Sequence, residues 1–190
     1  MKKWLKVLLA ADFFLLLSMG MIIPIYAIFV EKIGGDVLAA SGAWAVFTFT
    51  SGILIWLFGL WGDKVKHLEK MIFFGYLIRS FAFLGYFFVS NQYHLFFVQT
   101  VLGVGVAASL PAYDGLYSRM LSKGKFASEW GTWEGMNLIV AAIAAIIGGT
   151  IAKYLGFKTL FIIMFVSGLI GALISLFLMS KKAQKEIKSK

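Results

Sequence analysis

Apolar residues fill six stretches of the chain, at about 5–30, 40–62, 70–89, 93–118, 127–152 and 158–179, and polar residues gather between them. Each stretch is long enough to cross a hydrocarbon core ~30 Å thick as a helix rising 1.5 Å per residue. The pattern predicts six transmembrane helices in a single domain over residues 1–190. The connections are short, and none reads as a separate soluble domain or a long linker. Met1 to Lys6 is basic and precedes an apolar run, as in a secretion signal. That run continues well past the 7–15 apolar residues of a signal and has no small-residue cleavage site, so it reads as a retained first span.

Composition strengthens this picture. Of the 190 residues, 61% are hydrophobic and 14% charged, against about 45–50% and about 25% in soluble domains. A soluble enzyme, a nucleic-acid-binding domain and a β-barrel are excluded, and an integral multi-pass protein of a bacterial or archaeal cytoplasmic membrane is expected. The net charge of +9 does not point to nucleic acid, because the cations lie between and beyond the spans. Lys2, Lys3, Lys6, Lys64, Lys66, Lys70, Arg119, Lys123, Lys125 and the five tail lysines from Lys181 to Lys190 fall on one side. Only Lys32, Lys153 and Lys158 fall on the other. The excess places both termini in the cytoplasm.

The eighteenth cation, Arg79, stands in the middle of span 3. An ionisable group at that depth costs at least ~2.5 kcal/mol and faces a cavity or a partner. Asp12 in span 1, Asp114 in span 4 and Glu134 in span 5 are candidate partners. With Arg79 they form either a structural ion-pair network or a substrate or proton site. There is no cysteine, and His67 and His94 stand alone in loops, so neither a metal site nor a cofactor is expected.

The two halves of the chain resemble each other. Pro24-Ile25-Tyr26 answers Pro111-Ala112-Tyr113, and Gly42-Ala43-Trp44 answers Gly131-Thr132-Trp133. Gly59 answers Gly148 and Lys64 answers Lys153. Three spans is an odd number, so the halves enter the membrane from opposite sides. A 3+3 inverted repeat is a building plan of secondary transporters. The prolines sit in the first helix of each repeat, where a freed carbonyl permits a kink beside a cavity.

Between spans 2 and 3 the chain reads G-L-W-G-D-K-V-K-H, from Gly59 to His67. This resembles the signature loop of the major facilitator superfamily, G-x-x-x-D-(R/K)-x-G-(R/K), at the same place. Gly59, Asp63 and Lys64 match it, while Lys66 and His67 depart. The run from Ile22 to Gly35 also resembles the superfamily's first helix and its exit. Gln99 stands where many proton-coupled members carry an arginine in the fourth helix. The Gly-Pro of drug antiporters is missing before Gly148-Gly149. These departures speak against a drug–proton antiporter and leave the energy source open.

The resemblance implies an all-α fold that is one half of a twelve-span transporter, since members pair two six-span halves about an axis along the membrane normal. A second copy in parallel, a homodimer, would complete the cavity. The superfamily's halves meet through helices 2 and 5, so span 2 would face span 5 of the partner. Small residues suit such a contact: Gly52, Gly59 and Gly62 in span 2, and Gly131, Gly135, Ala141, Ala144, Ala145, Gly148 and Gly149 in span 5. Asp63 would sit at the N-terminus of the partner's span 5 as a gating latch, with Gly59 and Lys64 completing the motif. Spans 1 and 4 would line the cavity. Tyr26, Gln99, Tyr113, Asp114 and Tyr117 would line it, with Trp133 and Asn137 nearby, a set that suits a sugar. Trp4, Trp44 and Trp130 fit an interfacial aromatic belt.

The expected function is therefore alternating-access transport of a small solute by a homodimer. The competing readings are a six-span substrate-binding subunit of a multi-component importer and a half-transporter that needs a different partner chain. The carboxylates of a CDP-alcohol transferase and the Gly-x-Ser-Gly of a rhomboid protease are both missing, so no enzyme activity is expected.

Overall fold

The computed structural model describes residues 2–62 and 65–188. Its six spans are Lys3–Lys32, Val37–Trp61, Leu68–Phe88, Gln92–Met120, Phe126–Tyr154 and Gly156–Met179, each within a few residues of the apolar stretch that predicts it. Among the described residues all regular structure is helical. A final short helix, Lys181–Lys188, follows span 6.

Local chemistry sets the span ends. The Asn91 side chain accepts from the backbone N–H of Tyr93 and of His94, both at 3.0 Å, and caps span 4. Asp36 Oδ1 accepts from the Ala39 N–H at 2.7 Å and caps span 2. Spans 5 and 6 are joined at Gly156, whose φ of +84° is costly for any residue with a Cβ.

The two prolines behave differently. At Pro24 the α-helix of span 1 gives way to a 3-10 turn, Ile23–Ile25, before helix resumes over Tyr26–Lys32. At Pro111 the helix Gln92–Met120 runs on unbroken. The expected break is therefore present in the first half only.

Span 4 packs against spans 2 and 3, span 1 packs against spans 5 and 6, and spans 3 and 6 pack on each other, while spans 1 and 4 touch only lightly. Exchanging spans 1–3 with spans 4–6 maps this set of pairings onto itself, as an internal repeat would. Small residues permit the close approaches. A Cβ on Gly75 would lie 2.8 Å from Gly105 O, between spans 3 and 4, and one on Gly103 would lie 3.1 Å from Phe47 O, between spans 4 and 2. One on Gly171 would lie 2.6 Å from Ala11 O, between spans 6 and 1. Spans 1 and 6 are also joined by Ser18 Oγ donating to Met164 O and Ser167 Oγ donating to Phe14 O, each at 2.9 Å. Interhelical bonds of this kind contribute about 0.6 kcal/mol each in membranes.

Burial is uneven. Only 17% of the core window of spans 2 and 5 is buried, against 39–50% in the other four. The molecule thus has one broad face, in the order span 2, span 4, span 1, span 5, with spans 3 and 6 behind it.

Part of the expected intersubunit contact proves internal. Ala144 is fully buried and lies 2.8 Å from a Cβ built on Gly20, and a Cβ on Gly148 would overlap the backbone of Met21. These two small residues seat span 5 on span 1 of the same chain. Gly52, Gly59, Gly131, Gly135 and Gly149 meet nothing within 4 Å.

Candidate functional site

Among the described residues, side chains of different spans that hydrogen-bond to one another form two clusters. The first lies in the half of the membrane nearer the termini, roughly two turns in from that end by helical rise. Its centre is Asp12, buried in span 1. Tyr76 Oη of span 3 donates to Asp12 Oδ1 at 2.9 Å, and Trp133 Nε1 of span 5 donates to Oδ2 at 2.9 Å. The carboxylate is thus held by two neutral donors from two other helices, which offsets part of the cost of burying it. Around it, Arg79 Nε and Tyr113 Oη are buried without a hydrogen-bond partner. The Arg79 guanidinium carbon lies 6.0 Å from the centre of the Tyr76 ring.

The expected ion-pair network of Asp12, Arg79, Asp114 and Glu134 takes a different form. Among the described residues Arg79 makes no ion pair within 4.0 Å, and the oxygens of Asp12 accept instead from Tyr76 and Trp133. Glu134 is exposed on the outside of span 5 and does not join the cluster. Asp114 is half-buried, and its carboxylate accepts no hydrogen bond from a described residue; only its backbone carbonyl is engaged, by Ser118 Oγ at 2.7 Å.

An aromatic group adjoins these acids. Tyr113 stacks on Tyr117 with centroids 5.8 Å apart, Tyr117 meets Trp130 at 4.7 Å, and Trp130 meets Trp133 edge-on at 5.7 Å. Trp130, near the start of span 5, is half-buried in this group. Tyr117 Oη donates to the backbone carbonyl of Glu129, which ties span 4 to the start of span 5. Asn137, one turn beyond Trp133, is half-buried.

The second cluster lies towards the other end of the bundle. Gln99, buried in span 4, donates from Nε2 to Tyr26 Oη at 2.6 Å and accepts at Oε1 from Tyr86 Oη at 3.2 Å. Tyr26 belongs to the helical segment that follows the Pro24 break, so this chain of bonds fastens that segment to spans 3 and 4. The Tyr26 ring lies 6.4 Å from that of Trp44.

The candidate lining residues thus fall into two groups and not one. Tyr113, Asp114, Tyr117, Trp133 and Asn137 gather near Asp12, whereas Tyr26 and Gln99 stand apart with Tyr86. The gating residues Asp63 and Lys64 lie outside the described residues, and Gly59 sits on the open side of span 2. Two participants were not foreseen, Tyr76 and Tyr86. The available signal was a tyrosine within an apolar span, whose hydroxyl needs a partner away from water.

Comparison with known proteins agrees with this architecture. The profile of the Major Facilitator Superfamily matches residues 8–190. The chain is 29% identical over 163 residues to YuxJ of Bacillus subtilis (strain 168), an uncharacterized MFS-type transporter, covering 82% of this chain and 41% of YuxJ. It is 28% identical over 151 residues to PmrA, a multi-drug resistance efflux pump of Streptococcus pneumoniae, covering 77% of this chain and 37% of the pump. The chain spans about two fifths of the length of these curated relatives.

Proposed function

The chain belongs to the major facilitator superfamily, as a multi-pass protein of the cytoplasmic membrane, and from that premise we propose that it works as one half of an alternating-access transporter whose other half is a second copy of itself. The observation that carries this reading is the broad face of spans 2, 4, 1 and 5. The outer two helices of that face are the least buried of the six, and Gly52 of span 2 and Gly135 of span 5 stand open on them. The excess of Lys and Arg by loop supports cytoplasmic termini for both copies. Six spans being even, the copies insert in parallel and the two-fold axis runs along the membrane normal.

The solute is an organic cation with an aromatic or apolar body. Most polar handles that a sugar would use are consumed inside the bundle, since Trp133 Nε1 and Tyr76 Oη serve Asp12, and Gln99 is held at both ends by tyrosines. What remains open is the half-buried Asp114 carboxylate and, in the adjoining aromatic group, the half-buried rings of Trp130 and Trp133, which suit a cation over ring faces. The description of PmrA as a multi-drug resistance efflux pump supports a drug-like organic solute over a sugar and says nothing of its charge. The sugar suggested by lining-residue type alone fits this arrangement less well.

Purified chain in liposomes, given ethidium as a fluorescent probe cation, tests the reading. Saturable flux that Asp114→Asn reduces at least tenfold is expected. Flux of a neutral sugar with none of ethidium would reverse the choice of solute. No flux of either, restored by adding a different six-span chain, would favour a half-transporter with another partner.

A further inference from the structure

The end of the bundle away from the termini should carry few cations, and the three that stand there do not scatter. Lys32 closes span 1, Lys153 lies in the last turn of span 5, and Lys158 lies in the first turn of span 6. All three border cavities that Phe157 lines. Two adjoining cavities open beside that ring, of about 390 and 270 Å³. Lys32 and Phe157 line both, Lys158 lines the larger and Lys153 the smaller.

Each ammonium is positioned by an aromatic ring. Lys32 Nζ lies 5.2 Å from the Phe157 centroid, Lys158 Nζ 5.1 Å from that of Phe87, and Lys153 Nζ 5.0 Å from that of Tyr154. A ring face attracts the cation but takes up none of its N–H donors. None of the three makes an ion pair with a described carboxylate. The remaining walls are largely apolar, with Phe29 and Phe161 in the larger cavity and Ile25 and Ile28 in the smaller.

Lys32 shares one cavity with Lys158 and the other with Lys153, and two such cations in one cavity repel each other and favour an anion between them. Cations at the opposite end of the bundle follow from topology and imply nothing further. The rule sets an excess and not an exclusion, so what is informative is that all three border the same pair of adjoining cavities. We infer that the junction of spans 1, 5 and 6 binds the phosphate of an anionic phospholipid, with Lys32, Lys153 and Lys158 around the headgroup and an acyl chain on the apolar wall. A lipid fits better than a soluble phosphate because the walls are apolar and the site lies at the ends of membrane-spanning helices, where headgroups lie. The inference is independent of what the protein transports.

Native mass spectrometry of the full chain, titrated with phosphatidylglycerol or phosphatidylcholine, tests it. The chain is expected to retain a phosphatidylglycerol adduct at least fivefold more than a phosphatidylcholine one. Substituting all three, Lys32→Ala, Lys153→Ala and Lys158→Ala, removes that preference, whereas three Lys→Arg changes at the same positions keep it and report that the fold is intact. Lys181→Ala, Lys182→Ala and Lys185→Ala together, at the opposite end, leave it in place. An unchanged preference in the first triple variant overturns the inference. Displacement of the lipid by inorganic phosphate alone also overturns it, in favour of a soluble anion site.

Discussion

Tyr76 Oη donates a hydrogen bond to Asp12 Oδ1 at 2.9 Å, across the boundary between spans 3 and 1. With Trp133 on the other oxygen, it makes Asp12 the point at which three helices meet. Spans 1 and 5 belong to the open face, whereas span 3 belongs to the back of the molecule. Any relative movement of these helices must therefore break or remake a bond to one buried carboxylate.

Asp12→Asn places an amide among two donors that both need an acceptor, so one bond is lost or inverted. Solute flux in proteoliposomes is expected to fall at least tenfold while the protein stays folded in detergent. Tyr76→Phe removes one donor at constant ring volume and should cost about 0.6–2 kcal/mol of stability, seen as a small fall in Tm. Wild-type flux in Asp12→Asn would separate this acid from transport.

Adjacent glycines in span 5 should respond oppositely. Gly148→Ala puts a methyl into the backbone of Met21, and overpacking of this kind costs about 1–3 kcal/mol. Gly149→Ala meets nothing within 4 Å and is expected to leave thermal unfolding of the single chain unchanged. Equal losses in both variants would contradict the packing of span 5 on span 1.

Gln99→Leu severs both bonds of the second cluster and frees the segment after the Pro24 break. Amide hydrogen exchange over residues 26–32 is expected to quicken several-fold, with spans 3 and 4 unaffected. No change in that segment would mean that the ring contacts of Phe29 with Tyr86 and Phe161 hold it without Gln99.

Because the chain has no cysteine, disulfide trapping reads single positions cleanly. Gly52→Cys and Gly135→Cys together should give a covalent two-chain species in native membranes under mild oxidation. Gly20→Cys with Ala144→Cys lies within one chain and is expected to give none.

Much of the fold was legible because a bilayer allows few solutions: apolar runs of span length become helices, and their ends follow from caps such as Asn91 and Asp36. Less legible was the direction in which each polar side chain turns. Residue type and depth nominated Asp12, Asp114, Glu134 and Arg79 together, but the rotation of span 5 turns Trp133 inward and Glu134 outward. Small residues were ambiguous for the same reason. Ala144 and Gly148 point at span 1, whereas Gly52, Gly59 and Gly135 point at open space, and spacing alone cannot separate these cases. The missed tyrosines, Tyr76 and Tyr86, matter through partners on other spans, Asp12 and Gln99.

The pairing of two copies is tested most directly by the native mass of the protein released from lipid nanodiscs. The account predicts a species of twice 21.1 kDa that persists as detergent is diluted and is reduced to a single copy by Gly135→Trp. A persistent single-copy mass in the unmodified chain would contradict it, and the open face would then belong to lipid or to a different chain.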